Sequence, residues 1–324
     1  MKNVVVFGGG TGLSHILKGL KLFPVNVTAI ISVSDNGSST GILKKEMNIP
    51  AIGDIATVMI SMANTSEDIK KLLRYRFKNT SLENHAVKNF LLAALYDIKG
   101  NLTDAINIMC GMLNIKGSIL PISEDVIEIV GHYADGKKIV GEEQITQNGK
   151  PITELTYNKK IKVNKKVFKA IEEADLIIFS PGSLYTSILP HLIIPEVAEK
   201  INASPAPKMY IANLFTQPGE TDNFGVSDHL KVLERYVKID AVIANDSHLP
   251  QKELKKYMTK EQKDQVKLDK RKIKDMNVEL LADKIFTLEE GIIRHDSLKT
   301  AYLIFSYLMK RDEQWHIQRK SKKK

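Results

Sequence analysis

Four stretches place small, hydroxylic and acidic residues at points where apolar runs stop. The first is VVVFGGGTGLSHILKGL, residues 4–20. Gly8, Gly9, Gly10 and Gly12 permit positive φ and close backbone approach. The helical pattern that follows supplies unpaired N–H groups and a positive dipole end. Thr11 adds a hydroxyl able to cap the helix or donate to a phosphate oxygen. This is the chemistry of an anion cradle, but of neither familiar dinucleotide nor nucleotide type. Counted from Gly8, the third glycine of G-x-G-x-x-G falls on Leu13; counted from Gly10, it falls on His15. A P-loop needs Lys and Ser/Thr after its last glycine, and Gly12 is followed by Leu13. The broken fingerprint disfavours an NAD-dependent oxidoreductase.

The second stretch is SVSDNGSSTG, residues 32–41. Asp35 stands where a ribose-binding acid stands in a dinucleotide fold. Asp35 and Asn36 offer oxygens to a sugar or a hydrated Mg²⁺, and Ser38, Ser39 and Thr40 add hydroxyls. Asp-Asn-Gly-Ser is equally turn chemistry. The third, SPGSLYTSILP at 180–190, breaks a strand with Pro181 and Gly182. Ser183 then serves as an N-cap, and Tyr185 and Thr186 carry hydroxyls onto the next turn. The fourth, LFTQPGETDNFGVSDH at 214–229, sets Gln217, Glu220 and Asp222 in a Pro-Gly loop. Lesser candidates are Asp54, read as a helix cap, and His85 with Asn89, four apart on one helical face. His229 and His248 lack metal spacing, and no G-x-S-x-G elbow accompanies them. Cys110 lies in an apolar run and reads as a small buried hydrophobe.

Elements must carry these stretches to one place. Apolar runs of strand length alternate with helical patterns from end to end, in a chain of 324 residues with ordinary apolar content. The expectation is an α/β, Rossmann-like fold: a mostly parallel sheet with helices on both faces. One such domain spans 1–310. A β-rich insertion covers about 116–163, where period-two alternation takes over and 134–137 supply a hairpin turn. A helix is expected over 183–201, and a disordered basic tail over 311–324. In such sheets ligands bind outside the carboxyl ends of the strands, which is where all four stretches fall.

The net charge is +9. Its excess sits in the tail and in residues 255–274, which are interleaved with acids and poor in aromatics for base stacking. That argues for attraction of an acidic small ligand and against nucleic acid. A single cysteine fits a reducing compartment, and no signal peptide or membrane-length apolar run is read. The expected location is the cytoplasm.

With these motifs in hand, the chain resembles the bacterial gluconeogenesis-factor family, in the superfamily of the 2-phospho-lactate transferases that build a deazaflavin cofactor. The resemblance runs from Val4 to about Asp246, and more weakly to Arg294, His295 and Asp296. It rests on an ordered set: GGGTGL, SDNGSSTG, IGDI, YRF, PGSLYTSILP and QPGETD. It implies a Rossmann-like core, a homodimer and a UDP-sugar ligand, typically UDP-N-acetylglucosamine. It also implies a regulatory role without a required cofactor. That role links the ligand, through a cytoplasmic protein partner, to cell-wall precursor supply and cell shape on non-sugar carbon sources. Carried over by position, residues 8–13, 35–39 and 181–186, Leu184 among them, would line the site. Tyr257 and Arg294 would close on the UDP-sugar. The transferases of the superfamily instead carry out Mg²⁺-assisted phosphoryl or nucleotidyl transfer, which would make Asp35 a metal ligand.

This chain departs from the family pattern in three places. Asn36 and Ser38 stand where the family has Asp and Gly, which removes one acidic metal ligand. Ala56 replaces an Arg able to hold phosphate bidentately. In 84–89, two glycines and a hydroxyl are lost, while Lys88 brings a charge. These changes weaken catalysis more than backbone-mediated binding.

Overall fold

The first strand, β1 (Lys2–Gly8), carries an unbroken apolar run in which Val4 to Phe7 are fully buried. A run without polar alternation is what a parallel strand covered on both faces requires. The computed structural model describes residues 1–321, with side chains over 1–312. α1 (Gly10–Leu20) returns the chain to β2 (Val25–Ile31). Five helices then precede the next strand: α2 (Ser38–Met47), α3 (Gly53–Met62), α4 (Glu67–Arg74), α5 (Val87–Lys99) and α6 (Leu102–Met112). After β3 (Ser118–Pro121) comes an antiparallel excursion of β4 (Ile129–Tyr133), β5 (Lys138–Val140), α7 (Glu142–Asn148) and β6 (Ile152–Tyr157). α8 (Lys165–Glu172) leads to β7 (Leu176–Phe179), a π-helical turn (Leu184–Ile188), α9 (Leu189–Leu192), α10 (Pro195–Ala203) and β8 (Lys208–Ile211). The chain closes with α11 (Val226–Leu233), β9 (Ala241–Asn245), α12 (Gln251–Glu261), α13 (Lys270–Asp275), β10 (Glu279–Asp283), the hairpin β11 (Phe286–Glu289) and β12 (Ile292–His295), and α14 (Ser297–Ser321).

Seven strands form one sheet in the order β10-β9-β8-β7-β1-β2-β3, and every pairing is parallel. The order runs outward both ways from the β1–β7 pair, so this pair is the switch point of the sheet. Right-handed crossovers put the connections on opposite faces on its two sides. Accordingly α1 packs against α3 and α14, while α8 packs against α10. Phe7 lies at the centre, 5.7 Å from the Phe179 ring and 5.3 Å from His191. Burying a side chain of this size contributes roughly 1.5–3 kcal/mol.

Several sequence expectations meet corrections here. SILP pairs into the main sheet as its edge strand β3, so the antiparallel part is confined to β5-β4-β6. The hairpin turn is where it was expected: Tyr133 N–H donates to Lys137 O, and Gly136 has φ 80. Lys138–Val140 after it form strand β5 as read, but the residues from Glu142 on, also read as strand, form α7. Glu142 and Glu143 favour a helix start, Gly149 ends it with φ 61, and Ile145 is its buried apolar side chain. The helix expected over 183–201 is broken into the π turn, α9 and α10, with Pro190 and Pro195 each in a first turn. Proline has no N–H to continue the preceding helix. Finally, α14 runs to Ser321 rather than ending at 310. The segment holds Glu, Gln, Arg and Lys, good helix formers, and no Gly or Pro. Residues 322–324, part of the expected basic tail, lie outside the described residues. No described helix is long and apolar enough to cross a membrane.

Candidate functional site

The carboxyl ends of β1 and β7 face a cavity of about 390 Å³. Its floor is the start of α1 and the bend 181–183; its walls are residues 213–217 after β8, Tyr257 on α12, and β12. Gly10 takes φ +55, which favours glycine. At Gly12 the need is space: a Cβ there would stand 2.0 Å from Pro181 O. Gly8 and Gly9 likewise owe their place to close approach, against Ser180 and Asp54, and not to positive φ. Gly10 N–H donates to Asp54. The amides of Thr11 and Gly12, in the first helical turn, have no acceptor within the helix, and both residues line the cavity. Behind the turn, buried His191 donates from Nε2 to Gly8 O at 3.2 Å, and burial pushes its pKa down to about 4. It is therefore a neutral brace.

The opposite bend is locked by side chains. Asn213 accepts from Gly182 N–H at 2.9 Å and donates to Gly182 O at 2.7 Å. Ser183 accepts from Thr186 N–H, as an N-cap does, and donates to Glu220. Glu220 also accepts from Gln217 Nε2 at 3.1 Å, so it joins the two loops. Burial raises its pKa to about 7 against the Ser183 hydroxyl and the Tyr185 N–H. The aromatic wall is Phe215 stacked on Tyr257, with centroids 4.3 Å apart. The Tyr257 hydroxyl accepts from Ile293 N–H and so fastens α12 to the hairpin. Arg294 on β12 completes the rim. Its neighbour His295 is buried, donates to Ala212 O, and has its pKa pushed down to about 4.

Thus Thr11, Gly12, Pro181, Gly182, Ser183, Gln217, Tyr257 and Arg294 meet in one cavity. Leu13 and Leu184, carried into the site by position, are core residues, 0% and 1% exposed. Tyr185 is half-buried and packs against the core. Asp35, Asn36, Ser38, Ser39 and Asn89 lie outside this cavity. Ser39 bonds His85 Nδ1 and accepts from Asn89 Nδ2 within a buried polar cluster. Ser38 takes φ 48 at the start of α2. Asn36 gives both side-chain atoms to α7: Oδ1 accepts from Glu143 N–H, and Nδ2 donates to Gln144 Oε1.

Fastened this way, α7 brings Glu142 beside Asp35 and Asp54. Burial raises Asp35, countered by the Gly37 N–H, the Thr40 hydroxyl, Lys44 and Lys88. Asp54 rises to about 7, through burial and then the charge of Asp35. Burial and the same two acids raise Glu142, which bonds Thr186. Lys88 answers them from one side. Its Nζ donates to Gly53 O and Thr57 Oγ1, and burial lowers its pKa to about 8. Among the described residues no set of three His, Cys, Asp or Glu side chains is placed to hold a metal. Were a Mg²⁺ bound here, Asp35 and Asp54 would be the acids to hold it, with ligand phosphates completing its shell, the usual way that ion is bound. Sequence reasoning missed Asn213, Phe215, which it held only as part of a Pro-Gly loop, and Glu142, which it placed in the β-rich insertion.

A seven-stranded parallel sheet with a glycine-lined cavity at its switch point defines a Rossmann-like α/β protein. Comparison with known proteins places it further: residues 4–286 match the family model of 2-phospho-L-lactate transferase CofD. The chain belongs to that family and, within it, to the gluconeogenesis factors. It is 37% identical over 310 residues to the gluconeogenesis factor of Bacillus subtilis, covering 94% of this chain and 98% of that one. It is 38% identical over 308 residues to that of Halalkalibacterium halodurans, covering 94% and 95%. A crystal structure of a Bacillus halodurans protein, 38% identical, superposes with a TM-score of 0.91 over 94% of this chain and 99% of that one.

Proposed function

We propose that this protein binds a UDP-sugar of the UDP-N-acetylglucosamine type and acts as a regulatory factor in gluconeogenic growth. In this reading it works in the cytoplasm as a homodimer. Through a protein partner it adjusts cell-wall precursor supply and cell shape. The observation that carries the reading is the cavity itself. Free amides at Thr11 and Gly12 suit a diphosphate, the Phe215–Tyr257 stack suits a flat base, and Arg294 suits a second anionic or polar contact. The gluconeogenesis factors among its relatives support the gluconeogenic role. In a thermal-shift panel without Mg²⁺, UDP-N-acetylglucosamine raises the melting temperature. A ligand at 100 times its Kd adds about 2.7 kcal/mol to stability. Arg294→Ala shrinks the shift, and NAD gives none. No shift with the UDP-sugar, or a larger one with NAD, rejects the reading.

One observation favours a second reading. Asp35 and Asp54 repel each other beside the glycine turn, as a pair does when a cation belongs between them. A Mg²⁺ there would assist transfer of a phosphoryl or nucleotidyl group from a nucleotide-linked donor. Turnover that needs Mg²⁺ and is lost in Asp35→Ala would favour this reading.

A further inference from the structure

A second hollow of about 770 Å³ adjoins the cavity and shares Thr11, His15, Ile292 and Arg294 with it. Its walls come from α1, α3, α4, the start of α5 and the tip of the β11–β12 hairpin. Lys18, Lys21, Lys70, Arg74, Lys88 and Arg294 line it, against Glu67, Glu289 and Glu290. Only part of this positive charge is neutralised within the molecule. Lys70 pairs with Glu67 at 2.8 Å, and Glu289 lies 4.0 Å from His15 Nε2. Lys18, Arg74 and Arg294 make no ion pair with a described carboxylate. The cations oppose one another: after burial, Lys70 and Lys18 lower the pKa of Lys21, while at Lys88 burial and then Arg76 and Arg74 act against Asp54 and Asp35. Lys88 stands on the floor, 8% exposed.

We propose that this hollow is a second anion site, which holds a small phosphorylated molecule beside the ligand of the main cavity. The size falls within the roughly 300–1,000 Å³ of small-molecule sites. A cationic floor residue this deeply buried is reached by a compact ligand and not by a protein surface. A ligand with two anionic groups bridges Lys18 and Lys21 on α1 to Arg74 on α4. It relieves the repulsion among cations, which is strong where water is partly excluded. The proposal goes beyond the UDP-sugar reading and does not depend on which ligand fills the main cavity.

The test is calorimetric titration of the full chain with inorganic pyrophosphate, inorganic phosphate and an oligoglutamate peptide, without Mg²⁺. Pyrophosphate fills the hollow one to one, beside any equivalent held by the amides of Thr11 and Gly12, and about tenfold or more tighter than phosphate, since two charges are met instead of one. The double variant Lys18→Ser/Arg74→Ser, both exposed in the fold, weakens pyrophosphate about tenfold or more. The same variant keeps the melting temperature and the UDP-sugar response of the native chain. Tyr257→Ala in the main cavity leaves pyrophosphate binding unchanged. Four outcomes overturn the proposal: no binding by the native chain; binding lost with Tyr257→Ala but kept in the groove variant; equal weakening by the remote pair Lys165→Ser/Lys252→Ser; or tighter binding of the peptide than of pyrophosphate.

Discussion

Asp54 shows how one residue joins the site to the stability of the fold. Its folded pKa, about 7, lies above its ordinary value of 3.8. Between those values the folded state holds a proton that the unfolded state has lost. The contribution of Asp54 to stability therefore falls as pH rises from about 4 to about 7, and the loss is complete above that. Glu220, raised to about 7, pulls the same way. The expected outcome for Asp54→Asn is a melting temperature that gains on that of the native chain as pH goes from 5 to 8. Melting curves of both proteins across that range check this; the comparison is needed because buried His191 and His295, with pKa near 4, pull the native chain the other way below about 6.5, and a variant that gains nothing would contradict the burial of Asp54. Much at this scale was legible in the sequence. Gly12 and Ser183 stand out because a bend at a strand end needs a small residue and a cap. Phe215 does not, because the partner that makes it a stacking wall, Tyr257, is distant in the chain. Leu13 and Leu184 misled because a motif copies neighbours together, while helical geometry turns alternate ones into the core.

At the scale of elements, the antiparallel excursion behaves as a part bolted onto the sheet. Asn36 holds α7. Lys44 on α2, 4% exposed, donates to Ile127 O and pairs with Glu128 at 2.8 Å. The Tyr157 hydroxyl donates to Pro190 O at 2.7 Å. Asn36→Ala removes the cap of α7 and its link to Gln144, losses worth about 1 kcal/mol each. Hydrogen exchange in 142–148 should then quicken while β1 and β7 stay protected. Unchanged exchange there would mean that α7 is held by other contacts. The main strands were readable because buried parallel strands are apolar throughout. α7 was not, because its one buried apolar side chain leaves no helical period to detect. The break at Pro190 and Pro195 was readable in principle, since proline marks a first turn as well as an interruption.

Across the whole molecule, α1 links the site to the far end of the chain. Its first turn faces the cavity, and its last turn lies against α14. A Cβ on Gly19 would meet Ser297 O at 1.9 Å. Gly19→Ala gains about 1 kcal/mol in helix propensity, but overpacking against a backbone atom costs about 1–3 kcal/mol. The net expectation is a lower melting temperature; a rise would show that α14 gives way freely. The central place of β1 has a consequence for the nascent chain. Val4 pairs with Val27 on one side and with Leu176 on the other. At about 5–20 residues per second, roughly 7–30 seconds separate the synthesis of β2 from that of β7. Through that interval the innermost strand is an open edge, ready to pair with a neighbouring chain. The ribosome-bound half-protein is therefore the form most in need of a chaperone.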